Sequence, residues 1–151
     1  MASPQVGDTA PDFTLDAASG ERVTLSDALQ RGPVVLIFYP MDATPGCKAQ
    51  LCAVRDDSMR YAGAGITVYG INNGSAASHE KFSRTNGFTA PLLVDKDLGV
   101  AGAYGAVMGF GPLRLINRTV VGITPEGKIQ FYKRGTPTTE EILTALETPA
   151  A

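Results

Sequence analysis

The only two thiols in the chain, Cys47 and Cys52, stand five positions apart, directly after the turn-forming run Thr44-Pro45-Gly46. Before that turn the apolar stretch Val34 to Tyr39 reads as a buried strand, and after it the pattern is helical. Cys47 therefore falls in the first turn of a helix. There, unpaired amide N–H groups and the positive end of the helix dipole favour an anion, and the thiolate is the nucleophilic form of cysteine. Raising the thiolate fraction contributes only about 2 kcal/mol, too little for a fast enzyme. The remainder must come from groups that hold an electrophile and stabilise charge on its leaving atom.

The spacing of the pair narrows the chemistry. On an ideal helix, positions five apart have Cα atoms roughly 8 to 9 Å from one another, beyond the ~7 Å that a disulfide tolerates. If Cys47 and Cys52 bond, the helix around Cys47 must first unwind. The spacing points to a thiol that reacts in a folded pocket and reaches its partner by local unfolding.

The run Pro40-x-x-x-Thr44-x-x-Cys47, inside FYPMDATPGC and followed by Cys52, resembles the active-site signature of peroxiredoxins. It is most similar to the bacterioferritin comigratory protein, or peroxiredoxin Q, branch, the atypical two-cysteine type. The likeness extends along the chain through Ala10-Pro11-Asp12-Phe13-Thr14-Leu15, Ser78-His79-x-Lys81-Phe82, Leu92-Leu93-Val94-Asp95, Ala103-Tyr104-Gly105 and Arg118-Thr119. The resemblance implies that Cys47 is the peroxidatic nucleophile and Cys52 the resolving thiol. It implies that the Thr44 hydroxyl bonds the sulfur and a peroxide oxygen, that Arg118 stabilises thiolate and oxyanion, and that Pro40 shields the pocket from water. The implied activity is a thiol-dependent peroxidase acting on hydrogen peroxide and organic hydroperoxides. Its cycle runs from sulfenic acid to a Cys47–Cys52 disulfide and back through thioredoxin or a similar dithiol reductant. No cofactor, metal, flavin or haem is required. Relatives of this branch imply a monomer, with a dimer through an edge near the Gly-rich loop as the alternative.

Taken alone, the same residues have ordinary readings. Cys52 could be a small apolar residue on the core face of its helix, and Thr44 a turn or capping residue. Arg118 opens an apparent strand, where arginine is usually a solvated edge residue. The alternative function is a redox-sensing or interaction protein switched by the Cys47–Cys52 disulfide. His79, the single histidine, lies in the helical stretch from Ser75 to Arg84 and reads as a surface or helix residue, which weakens a Cys-His hydrolase. With one histidine and no Cys-x-x-Cys pair, neither a zinc site nor a thioredoxin-type dithiol is credible.

The elements that must position these residues alternate. Strands are expected at Phe13–Leu15, Val23–Leu25, Val34–Phe38, Ile66–Ile71, Leu92–Val94, Val120–Ile123 and Ile129–Tyr132. Helices are expected at Cys47–Ala62, Ala76–Asn86 and Leu98–Tyr104, and from the capping box Thr138-x-x-Glu141 to Glu147. Thr124-Pro125-Glu126-Gly127 reads as a hairpin, and the Gly-rich stretch from Gly105 to Pro112, with Met108 and Phe110, as a loop. This order predicts an α/β thioredoxin fold with a central mixed β-sheet flanked by α-helices and an N-terminal β-hairpin extension, as one domain over residues 1–151.

Composition agrees. Hydrophobic residues make up 44% of the 151 positions and charged ones 19%, enough for a single core that buries about two thirds of the unfolded surface. With 13 basic against 15 acidic residues and no basic cluster, nucleic acid and anionic membranes are poor partners. The longest apolar run is far below the roughly 18 to 20 residues that span a bilayer. A soluble, cytoplasmic protein is expected, and thiols in a reducing compartment favour redox chemistry over a structural staple.

Overall fold

The computed structural model describes residues 4–41, 45–109 and 113–147, with the side chains of Pro45 and Cys47 outside that description. Five consecutive apolar residues, Val34–Phe38, form the strand at the heart of the molecule, β3, and all five are at most 1% exposed. Alternation along β3 sends Val34, Leu36 and Phe38 into one apolar cluster and Val35 and Ile37, with Tyr39, into another on the opposite face. A strand buried on both faces must be apolar throughout, which is why its sequence shows no alternation.

Around it the chain builds β1 (Thr14–Ala17), β2 (Arg22–Thr24), β4 (Thr67–Asn72), β5 (Leu92–Val94), β8 (Thr119–Ile123) and β9 (Ile129–Arg134) into a seven-stranded sheet of order β2-β1-β5-β4-β3-β8-β9. β3, β4 and β5 run parallel, while β8 and β9 are antiparallel additions on one side and the β1–β2 hairpin on the other. The sheet is mixed, as expected, and carries the N-terminal hairpin. Helices α1 (Leu25–Leu29), α2 (Pro45–Asp56), α3 (Ser58–Gly63), α4 (Ala76–Asn86), α5 (Gly99–Ala103) and α6 (Thr139–Glu147) accompany it.

Several boundaries differ from the sequence expectation for identifiable reasons. The helix expected over Cys47–Ala62 begins at Pro45, whose missing N–H costs nothing at a first helical position. It breaks at Asp57, which leaves helical geometry (φ −97°, ψ 12°) while its carboxylate accepts the Thr139 hydroxyl at 2.6 Å. Leu25 starts a helix instead of ending a strand, because Asp12, fourteen positions earlier, accepts the Ser26 N–H at 2.9 Å.

The Gly-rich stretch is not wholly loop: β6 (Val107–Met108) pairs antiparallel with β7 (Leu115–Ile116). Gly109 turns that hairpin at φ +91°, where a Cβ would lie 2.3 Å from the Leu113 carbonyl oxygen. Phe110 and Pro112 lie outside the described residues. At α6 the Thr138 hydroxyl accepts the Glu141 N–H at 3.1 Å, and the Glu141 carboxylate accepts from Lys133 at 2.7 Å.

His79 is helical but not on the surface. It is fully buried on the inner side of α4, with Nε2 3.2 Å from the Leu93 carbonyl oxygen and its ring centroid 6.3 Å from that of Tyr39. His79→Ala is expected to lower unfolding free energy by about 2–3 kcal/mol through the lost bond and the cavity left behind. Urea denaturation checks this, and a change within about 0.5 kcal/mol would show that the bond and packing of His79 contribute little to stability.

Candidate active site

At the C-terminal edge of the parallel strands the β3–β4 ladder runs out in a defined way. The Tyr39 N–H donates to the Ile71 carbonyl at 3.2 Å, and the Tyr39 carbonyl accepts from the Asn72 side chain at 2.8 Å. Pro40, half-buried, comes next; it carries no N–H, so the ladder cannot continue through it. Met41 is exposed. Thr44 lies outside the described residues, so the structure does not report on it.

The chain re-enters at Pro45 in the first turn of α2, and Cys47 is the third residue of that helix. The first-turn amides of α2 lack intrahelical acceptors and carry the positive end of the helix dipole. Arg118 adds a full charge at the same place. It sits one residue before β8, where its carbonyl accepts the Gly135 N–H at 2.9 Å. Its guanidinium donates from Nη1 to Gln50 Oε1 at 2.8 Å, and its other Nη lies 3.3 Å from where a Cβ on Gly46 would stand. The guanidinium is thus laid across the first two turns of α2, and Arg118 is not the solvated edge residue that its position in sequence would suggest.

Gln50 was not foreseen from sequence. It is buried, at 8% exposure, and one helical turn beyond Cys47. A glutamine carbonyl holds the arginine without cancelling its charge, whereas a carboxylate would form an ion pair and remove most of the local positive potential. The i, i+3 relation to Cys47 was the one available signal, since it places both residues on neighbouring positions of a helix face.

Cys52 is a free thiol in the same unbroken helix, half-buried. Continuity of α2 from Pro45 to Asp56 keeps the two cysteines at helical separation. Beyond Cys52 the helix end is tied down. Arg55 donates to the Asn86 carbonyl, Asp57 accepts from Thr139, and Arg60 of α3 pairs with Glu140 of α6. Toward its N-terminus the Arg118 guanidinium holds Gln50 of the same helix.

A cleft of about 500 Å³ opens beside the first turns of α2, lined by Gly46, Ala49, Gln50, Ala53, Pro137 and Ile142 among others. A larger cleft, about 630 Å³, lies between α4 and the β1–β2 turn and shares no residue with this region. The smaller cleft meets the site through Gly46 and Gln50, the two residues that stand against the Arg118 guanidinium. Among the described residues no group of three or more His, Cys, Asp or Glu side chains is placed to hold a metal ion, and no helix is long and apolar enough to cross a membrane.

Comparison with known proteins identifies the family and the fold. The AhpC/TSA family model matches residues 6–132. A putative peroxiredoxin, bcp, of Coxiella burnetii is 39% identical over 131 residues, covering 84% of this chain and 86% of that protein. The crystal structure of peroxidoxin BcpB from Mycobacterium tuberculosis superposes with a TM-score of 0.88 at 31% identity, covering 93% of this chain and 95% of that one. Bacterioferritin comigratory protein of Xanthomonas campestris, described for its alkyl peroxide reduction activity, superposes with a TM-score of 0.81 at 26% identity over 89% of this chain and 90% of that one. With its thioredoxin-type sheet and with Cys47 in the first turn of the helix that follows β3, the chain belongs to the AhpC/TSA family, among the bacterioferritin comigratory protein and peroxiredoxin Q thiol peroxidases.

Proposed function

We propose that the chain reduces hydrogen peroxide and organic hydroperoxides through Cys47, with Cys52 as the resolving thiol. The observation that carries this reading is the Arg118 guanidinium, held by Gln50 against Gly46 in the turn of α2 that contains Cys47. A fixed cation and the amides and dipole of a helix's first turn favour the thiolate. The same donors can bind the oxygen on which charge develops as the peroxide bond breaks.

In the first step the Cys47 thiolate attacks one peroxide oxygen. The S–O bond forms, the O–O bond breaks, and the departing alkoxide or hydroxide takes a proton, leaving a sulfenic acid. Pro40 closes the pocket to water and the Thr44 hydroxyl orients the attacked oxygen. In the second step the N-terminal turns of α2 unwind and the Cys52 thiolate attacks the Cys47 sulfur; the S–S bond forms, the S–O bond breaks, and the departing hydroxide takes a proton from solvent to leave as water. The ties at Arg55 and Asp57 keep the end of α2 in place, which confines unwinding to the segment carrying Cys47. A thioredoxin-type dithiol then supplies two electrons and two protons. The cytoplasm, a reducing compartment, suits such a cycle. The sensor alternative is the weaker reading, because the relatives are thiol peroxidases.

Intact mass after one equivalent of hydrogen peroxide tests the resolving step. The wild-type protein is expected to lose two hydrogens as the disulfide closes, whereas Cys52→Ser is expected to gain one oxygen as the trapped sulfenic acid. Wild-type protein that gains oxygen and never forms the disulfide would assign resolution to an external thiol.

A further inference from the structure

We propose that Asn72 is a positioning residue for the peroxide reaction: its side-chain amide sets where the chain leaves β3, and through that the placement of Pro40 and of the first turn of α2. The inference rests on the reading of Cys47 as the nucleophile. Asn72 is the last residue of β4 and 2% exposed, an unusual place for an amide at the end of a central strand.

Its contacts explain the choice. Nδ2 donates to the Tyr39 carbonyl at 2.8 Å, beyond the last backbone pair Phe38–Ile71. Oδ1 accepts the Gly74 N–H at 2.7 Å, which fixes the amide orientation so that its NH2 group must face Tyr39. The Asn72 carbonyl accepts the Asp95 N–H at 2.9 Å. One residue therefore joins the exits of β3, β4 and β5 at the C-terminal edge of the sheet, the edge where α/β proteins place their ligands.

Tyr39 is clamped from its other side by the rings of His79 and Phe82, with centroids at 6.3 and 6.4 Å. Only the residues from Pro40 to Gly46 separate the pinned Tyr39 carbonyl from Cys47 in sequence, so the reach of that short segment ties where α2 can begin to where β3 ends. Misplacing a reacting group by about 1 Å can cost roughly a hundredfold in rate.

The test compares Asn72→Asp, which is isosteric but puts an oxygen where the donor was, and Asn72→Ala with a control, Leu29→Ala. Leu29 is buried in α1 among the residues of the opposite core and lies outside the site. The readouts are the stopped-flow rate with hydrogen peroxide, the melting temperature, and the pH profile of Cys47 alkylation by iodoacetamide in a Cys52→Ser background. The Asn72 variants are expected to react with peroxide about ten- to a hundredfold more slowly and to alkylate with a midpoint at higher pH. Leu29→Ala should lose a similar amount of stability yet keep both the rate and the midpoint.

Should Asn72→Ala fail to fold, Asn72→Ser, whose hydroxyl can still donate, is expected to restore part of the rate lost in Asn72→Asp. Asn72 variants that stay within about twofold of wild type, or that fall no further than Leu29→Ala, would overturn the proposal. If wild-type protein itself reacts no faster than free cysteine, the reading of Cys47 fails. The alkylation midpoint then still decides whether Asn72 positions this turn: a shift upholds it and an unchanged midpoint overturns it.

Discussion

Cys47→Ser is expected to lower the second-order rate with hydrogen peroxide by at least about a thousandfold, to the level of buffer controls. A serine hydroxyl at neutral pH is almost wholly protonated and, unlike a thiolate, has no accessible oxidation state from which to accept the peroxide oxygen. Helix α2 should be undisturbed, since serine replaces sulfur with oxygen at nearly constant shape and stands in a first turn where serine is well tolerated. Circular dichroism and the melting temperature should therefore match wild type while stopped-flow turnover disappears. The wild-type rate should exceed that of free cysteine by orders of magnitude, because the site adds Arg118 and the helix amides to the intrinsic reactivity of a thiolate. Retained turnover in Cys47→Ser would remove Cys47 from the mechanism, and Cys52 would be the next thiol to examine.

Arg118→Ala should have the second largest effect, a loss of about a hundred- to a thousandfold in the same rate, equivalent to ~2.7–4 kcal/mol of transition-state stabilisation. Two contributions disappear together. The cation beside the first turn of α2 no longer favours the thiolate, and a preorganised donor no longer meets the departing oxygen. Arg118→Lys should recover only part of the loss: an ammonium restores charge but cannot reach Gln50 and the neighbourhood of Gly46 at once, as the planar fork does. The two contributions separate experimentally. Iodoacetamide alkylation responds to the thiolate population, whereas the peroxide rate responds to both, so the peroxide rate should fall by more than the alkylation rate at neutral pH. Equal losses in the two reactions would assign Arg118 to ionisation alone. An unchanged peroxide rate would remove it from the site.

Both predictions depend on an arrangement whose parts differ greatly in how far they could be read from the chain. Val34–Phe38 matches its sequence reading to the residue, as do Ala76–Asn86 and Leu92–Val94. Each is a locally consistent run bounded by residues that stop it. For α4 these are Ser75, whose hydroxyl accepts the Ser78 N–H at 3.1 Å, and Gly87 in the left-handed conformation. The elements misjudged are those whose ends are set from a distance. α1 is capped by Asp12, the break at Asp57 is held by Thr139, and β6 exists only because β7 returns beside it. His79 was misplaced for the same reason, since helical periodicity around it is weak and the acceptor that explains its burial belongs to β5.

By itself the sequence determined the family, the strand–turn–helix that carries Cys47, and the five-residue separation that forces α2 to unwind before its cysteines can join. All of these depend on residue type and on spacing within a single local segment, where strand pleat and helical pitch leave little freedom. Only the tertiary structure decided which groups stand against that segment. Arg118 reaches Gln50 across 68 positions and Asn72 reaches Tyr39 across 33. Those meetings are products of sheet order: β3 lies between β4 and β8, so the residue that ends β4 and the one that precedes β8 are both delivered to the edge where β3 gives way to α2. Pairing register across a sheet is a property of the whole buried core, set by which apolar faces can be covered at once, and no local stretch of the chain contains it.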